Sequence, residues 1–220
     1  MTLADREASG RGIVEVCRRL YDRGLVAGPD GNVSVRLGGP EEAILVTPSG
    51  LSKVDVTLDD LVIVNLDGKV LDGRRSPSSE LAMHLRIYRR RDDVRAVVHA
   101  HPPTATGFAV AGESFMAPVL PEVILQMGAV PLVPYATPGT EELPDAMEPF
   151  LAAHDAFLLA NHGATTVGQT LVAAHQRMES LEHAARILLA ARAVGRVNEL
   201  TASDANRLRG AGGGRHEERR

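Results

Sequence analysis

His99 and His101 close the apolar run 94–98, and Pro102 and Pro103 follow at once. Successive side chains of a strand point to opposite faces, so positions i and i+2 share a face with Cα atoms about 6.5–7 Å apart. Both imidazoles therefore point the same way, at a strand end that the prolines help to fix. That is half of a metal site. His162, followed by Gly163 where the chain turns out of the apolar run 156–160, supplies a third imidazole. A catalytic zinc takes three protein ligands and keeps a fourth position open. Singly, each histidine reads equally well as a core or surface residue; the pair on one strand face, with a third before a turn glycine, points to a metal. Glu80 follows Ser78 and Ser79 at a predicted helix start. It reads either as a first-turn acid complementing the helix dipole or as a metal ligand that doubles as general acid/base. His84, four residues on, shares its helical face and reads as a supporting or packing residue.

Three polar segments suit an anion: Gly31-Asn32, Thr47-Pro48-Ser49-Gly50 and Ser78-Ser79. Hydroxyls, close-approach glycines and N–H groups at helix starts are what a phosphate needs. Each segment alone is a plain turn or cap. Neither GxxxxGK[ST] nor GxGxxG occurs, which gives ATP and dinucleotides no motif to bind.

The elements that must position these groups are legible in outline. Apolar spacing predicts a helix over 13–23 with Gly24 as its stop. Strands are predicted at 33–37 and 43–46, and a hairpin at 62–66 and 69–71 around Asp67-Gly68. Ser78 or Ser79 should cap a helix reaching Arg89, with Leu81, Leu85 and Tyr88 on its buried stripe. The histidine strand, proline-rich connections and a short strand at 130–133 follow. Thr140 should cap a helix through Ala153, 156–160 is a buried strand, and a long helix from Leu171 ends at Gly195. The pattern gives one α/β domain over residues 1–209 around a mixed or largely antiparallel sheet, with a flexible tail at 210–220.

Composition narrows the partners. The 220 residues are 44% hydrophobic and 24% charged, ordinary for a globular domain, and a net charge of −4 gives no reason to expect nucleic acid. No signal-peptide pattern and no uncharged apolar stretch of membrane-spanning length occurs, so a cytoplasmic, membrane-free protein is expected. Cys17 is the single cysteine, which excludes an intrachain disulfide. Lysine occurs only at 53 and 69, neither in an apolar strand nor among the site motifs. A lysine Schiff base is thus an improbable route to carbon–carbon cleavage.

Taken together, GNVSV (31–35), TPSG (47–50), SSE (78–80), HAH (99–101), PYATPGT (134–140) and NHG (161–163) resemble the class II aldolase/adducin family in order and spacing, over about residues 13–195. The resemblance implies a three-layer α/β/α fold around a mainly antiparallel sheet. It implies Zn²⁺ on His99, His101 and His162 with Glu80 as displaceable ligand and acid/base; the same donors accept Mn²⁺ or Co²⁺. Asn32, Ser49, Gly50, Ser78 and Ser79 would hold the substrate phosphate, with Gly31 allowing close backbone approach. The implied activity is aldol cleavage of a phosphorylated ketose, fuculose-1-phosphate-like, to dihydroxyacetone phosphate and an aldehyde through a metal-stabilised enediolate. The implied assembly is a homotetramer with the site between subunits. On the same scaffold, 4-epimerisation, dehydration or decarboxylation of a keto-acid phosphate are alternatives, and a non-catalytic adducin-like assembly module is another. The family's aldolases use tyrosines from a neighbouring subunit, mid-chain and near the C-terminus. Here residues 119–122 and the chain after Gly195 have none; Glu122 is a conceivable substitute but reads first as an exposed loop carboxylate.

Overall fold

The computed structural model describes residues 3–38, 42–115 and 118–211. Its strands are β1 (Asn32–Gly38), β2 (Ala43–Val46), β3 (Val62–Val64), β4 (Val70–Asp72), β5 (Ala96–Ala100), β6 (Leu132–Val133), β7 (Ala156–Leu159) and β8 (Gly163–Gly168). They form one eight-stranded sheet in the order β4-β3-β2-β1-β5-β8-β7-β6. Every neighbouring pair is antiparallel except β6 with β7. The helices are α1 (Leu3–Asp22), α2 (Leu81–Arg90), α3 (Pro103–Val110), α4 (Pro121–Gln126), α5 (Glu142–Met147), α6 (Leu171–Val194) and α7 (Ala202–Ala211).

Strand alternation sorts the apolar side chains into two cores. Val33, Leu45, Ile63, Ala96, Val98, Leu158 and Ala164 pack with Ile13, Val16 and Leu20 of α1 and Met178 and Leu181 of α6. Their chain neighbours Ile44, Val46, Val62, Val64, Val97, Phe157 and Leu159 point the other way, onto Met83, Leu85 and Ile87 of α2 and Leu143 and Met147 of α5. The result is the expected three-layer α/β/α sandwich around a mixed, mainly antiparallel sheet.

Several boundaries differ from the sequence reading. Neither Ser78 nor Ser79 caps α2: Ser78 N–H is spent on Thr47 O at 3.1 Å, Pro77 bridges Pro48, and the helix begins only at Leu81, with Glu80 in the cap position. The Thr140 helix stops at Met147 and gives way to a 3₁₀ turn, Glu148–Phe150, where Pro149 lacks the N–H that a longer helix needs. The proline-rich stretch after His101 and the segment carrying Glu122 are helices, α3 and α4, each with a proline in its first turn. Glu122 is therefore an exposed helix residue rather than a loop one. Gly163–Gly168, with a glycine at each end and no apolar alternation, gives no strong strand signal yet forms β8 between β5 and β7. Gly210 and Ala211, assigned to the tail, close α7, and the remainder of that tail lies outside the described residues.

Candidate active site

β5 carries His99 on the α2 face of the sheet, directly between Asn32 of β1 and Thr165 of β8. Its Nδ1 donates to Ala164 O at 2.9 Å, so Nε2 presents a lone pair. His101 lies just past the strand, its N–H tied to Leu25 O at 3.0 Å, and its Nδ1 faces Asp30 Oδ2 at 3.5 Å. That carboxylate turns the Nε2 of His101 inward. His162 stands in the β7–β8 turn, where Asn161 takes a left-handed φ of 56°. Gly163 is required there: a Cβ would meet both Ala100 O and His101 Cδ2 at 2.6 Å. Glu80, in the cap position of α2, reaches across from the facing layer.

Three imidazoles converge as a result, one ligand nitrogen of each lying within 4.8 Å of the others. His99 Nε2 is 3.2 Å from His101 Nε2 and 3.2 Å from Glu80 Oε2, and His162 Nε2 is 3.2 Å from Glu80 Oε1. Each of these contacts is close to the roughly 3.3 Å that separates two ligands on one tetrahedral ion with bonds of about 2.0–2.1 Å. Lone pairs and carboxylate oxygens so placed repel unless a cation sits among them. Burial by itself raises the Glu80 carboxyl, but whatever positive charge the His99 and His162 side of the site carries outweighs it and holds Glu80 below the usual carboxylate range. Burial and those same charges push His101 down to about 4. A divalent ion supplies that charge in place of protons, and the donor set fits one.

Behind Glu80 runs a buried chain of donors. Asn32 Nδ2 donates to Glu80 Oε2 at 2.8 Å, and Asn32 Oδ1 accepts from His84 Nε2. His84 is fully buried, and burial pushes it down to about 3, so it is neutral. Its Nδ1 then accepts from Ser34 Oγ at 2.6 Å, and Ser34 Oγ accepts from Tyr88 OH at 2.8 Å. Every proton in this series points toward the carboxylate, which fixes the Asn32 amide with its NH₂ on Glu80.

Above the histidines opens a cleft of about 260 Å³, lined by Gly31, Asn32, Ser49, Gly50, Ser78, Ser79, Glu80, His101 and His162, with Pro138 and Gly139 opposite. All six residues expected at a phosphate are thus gathered at its walls, and His99 lies buried beneath. Gly31 has φ 72°, and a Cβ there would lie 2.6 Å from His99 O. The Ser49 and Ser78 N–H groups are spent on Ser76 O and Thr47 O. Ser78 Oγ accepts from the Glu80 N–H at 3.3 Å, which leaves its O–H, the Ser49 hydroxyl and the N–H groups of Gly50 and Ser79 to donate to a ligand. Sequence reasoning gave no role to Asp30, Pro138 or Gly139; the PYATPGT stretch was the available signal for the last two. Of the tyrosines, Tyr88 is buried in the donor chain and Tyr21 and Tyr135 are exposed, so none lines the cleft.

Residues 11–189 match the family model for the class II aldolase and adducin N-terminal domain. The chain belongs to that family. It is 36% identical over 174 residues to an L-fuculose phosphate aldolase of Methanococcus maripaludis, covering 79% of this chain and 92% of that protein. It is 34% identical over 180 residues to a 3-oxo-tetronate 4-phosphate decarboxylase of Escherichia coli, covering 80% and 84%. A solved L-fuculose 1-phosphate aldolase superposes with a TM-score of 0.85 at 29% identity, covering 96% of this chain and 97% of that one. Its relatives in the class II aldolase family are thus enzymes of two kinds, aldolases and decarboxylases. Among the described residues, no helix is long and apolar enough to cross a membrane.

Proposed function

We propose that this member of the class II aldolase family is a zinc-dependent, cytoplasmic aldolase that cleaves a phosphorylated ketose to dihydroxyacetone phosphate and an aldehyde. The observation that carries this reading is the convergence of His99, His101 and His162, with Glu80 against two of them, beside a cleft lined by hydroxyl and N–H donors. Held by the three histidines, Zn²⁺ (or Mn²⁺ or Co²⁺) would supply Lewis acidity at the substrate carbonyl, stabilising the electron pair left when the carbon–carbon bond breaks. The protein does the rest. Ser49, Gly50, Ser78 and Ser79 bind the phosphate, with Gly31 and Asn32 shaping the wall where it enters. Asp30 and Ala164 O orient His101 and His99. Glu80, aimed by Asn32, relays the proton that the carbon next to the carbonyl must receive, taking it up from solvent before delivering it. A homotetramer completing the cleft from a neighbouring subunit belongs to the same reading.

One observation favours a second reading. Aldol cleavage needs a group to take the proton of the departing carbinol, and no tyrosine lines the cleft. Decarboxylation of a 3-oxo acid phosphate has no carbinol proton to take; its one proton transfer is to carbon, and Glu80 would relay that proton from solvent. Product analysis separates the two. Incubation with phosphorylated ketoses should release dihydroxyacetone phosphate detectable by a coupled reductase. Carbon dioxide from a phosphorylated 3-oxo acid, with no turnover of ketoses, would establish the second reading. Turnover of neither would remove both. Ser78→Ala should raise KM for a phosphorylated substrate about tenfold while leaving that for its unphosphorylated analogue nearly unchanged, consistent with one lost charge-assisted hydrogen bond.

A further inference from the structure

Lys53 is one of only two lysines, and its side chain is 1% exposed. It opens a 3₁₀ turn, Lys53–Asp55, packed under α1. Its Nζ donates to Pro29 O at 2.9 Å and to Leu51 O at 3.0 Å, and its own N–H to Gly28 O at 3.2 Å. Pro29 and Gly50, the chain neighbour of Leu51, both line the cleft. One ammonium thus ties two of its lining segments together from behind.

Its partners are carbonyl dipoles, not anions. Among the described residues no carboxylate lies within ion-pair distance of Nζ; Asp30 and Glu80 act on it only from farther away. The adjacent Cys17 thiol is pushed up to about 12 by burial and stays neutral. Burial pushes the Lys53 pKa down as well, the mark of a charge short of solvent and of a counter-ion. A buried charge without an ion partner is costly to keep, and the chain could have placed a neutral donor there.

We propose that Lys53 is an electrostatic specificity residue of the cleft: its buried ammonium supplies the positive field that selects a phosphate dianion, while fixing two of the segments that line the cleft. Lys53 has this role only if the cleft takes a phosphate, as proposed above. It does not touch the anion. Its effect comes through space and through the Pro29 and Leu51 carbonyls, by which it holds the two chain segments that carry Pro29 and Gly50 in place.

The test is calorimetric titration of inorganic phosphate into the full chain, metal-loaded and metal-stripped, for wild type, Lys53→Met, Lys53→Gln and the surface control Lys69→Met. Thermal melts show which variants fold. In both metal states Lys53→Met and Lys53→Gln should bind phosphate about tenfold or more weakly and with a shallower salt dependence, while Lys69→Met matches wild type. Equal affinity in wild type and a folded Lys53→Met or Lys53→Gln would overturn the role of Lys53 and leave the cleft reading intact. A wild type that binds no phosphate in either metal state would bring down the cleft reading itself. If neither neutral variant folds, Lys53 serves the fold alone, which also overturns the assignment.

Discussion

Lowering the pH from 7 to 5 should destabilise the metal-free protein through His84 in a way that one substitution removes. His84 is fully buried, neutral and committed at both ring nitrogens, and burial holds it at about 3. In the unfolded chain an imidazole titrates near ~6.5. Between these values the unfolded state binds one more proton than the folded state, so stability falls as pH falls, by about 1.4 kcal/mol per unit. From pH 7 to 5 this amounts to about 2 kcal/mol, and because the folded value lies well below 5, its location hardly affects the figure. His84→Gln offers an N–H to Asn32 and a carbonyl to Ser34 without titrating. Urea unfolding of chelated wild type and His84→Gln at both pH values gives four free energies. Wild type should lose about 2 kcal/mol more than the variant across the window; carboxylates and the other histidines cancel in the comparison. Equal losses would mean that His84 carries no buried, neutral imidazole, and the directed donor chain to Glu80 would be wrong.

Glu80→Gln keeps the shape of the side chain but not its basicity; it should retain bound metal and lose at least about 100-fold in kcat, read by steady-state kinetics beside metal analysis. Gly163→Ala should weaken metal binding about 10- to 100-fold in a competitive chelator titration, because its Cβ would sit 2.6 Å from His101 Cδ2 and displace that ring. Unchanged affinity there would show that the turn has room the geometry denies.

How far the sequence foretold this site depends on how local each relationship is. The His99–His101 pair was legible because two residues apart on a strand is a local rule, and the prolines mark its end. His162 was legible from its glycine, though β8, which places it, was not: with a glycine at each end and no apolar alternation, Gly163–Gly168 carries little strand signal until it is slotted between two other strands. Asn32 was assigned to the phosphate wall, and it does line the cleft, but its bonds to Glu80 and His84 arise from the pairing of Asn32 with His99 and the docking of α2. No spacing along the chain encodes that. Lys53 was set aside for standing outside every motif, and only burial shows it behind two of them. The mixed, largely antiparallel sheet is legible from alternation and the hairpin and the three layers only from the family resemblance, whereas α3 and α4 are hidden because prolines, read as breakers, serve in first turns.

Metal content tests the central claim most directly. Protein produced with zinc and dialysed against metal-free buffer should carry about one divalent ion per chain. His99→Ala and His162→Ala, still folded by circular dichroism, should carry less than about a tenth of that. Wild-type protein holding no more metal than those two variants would contradict the account.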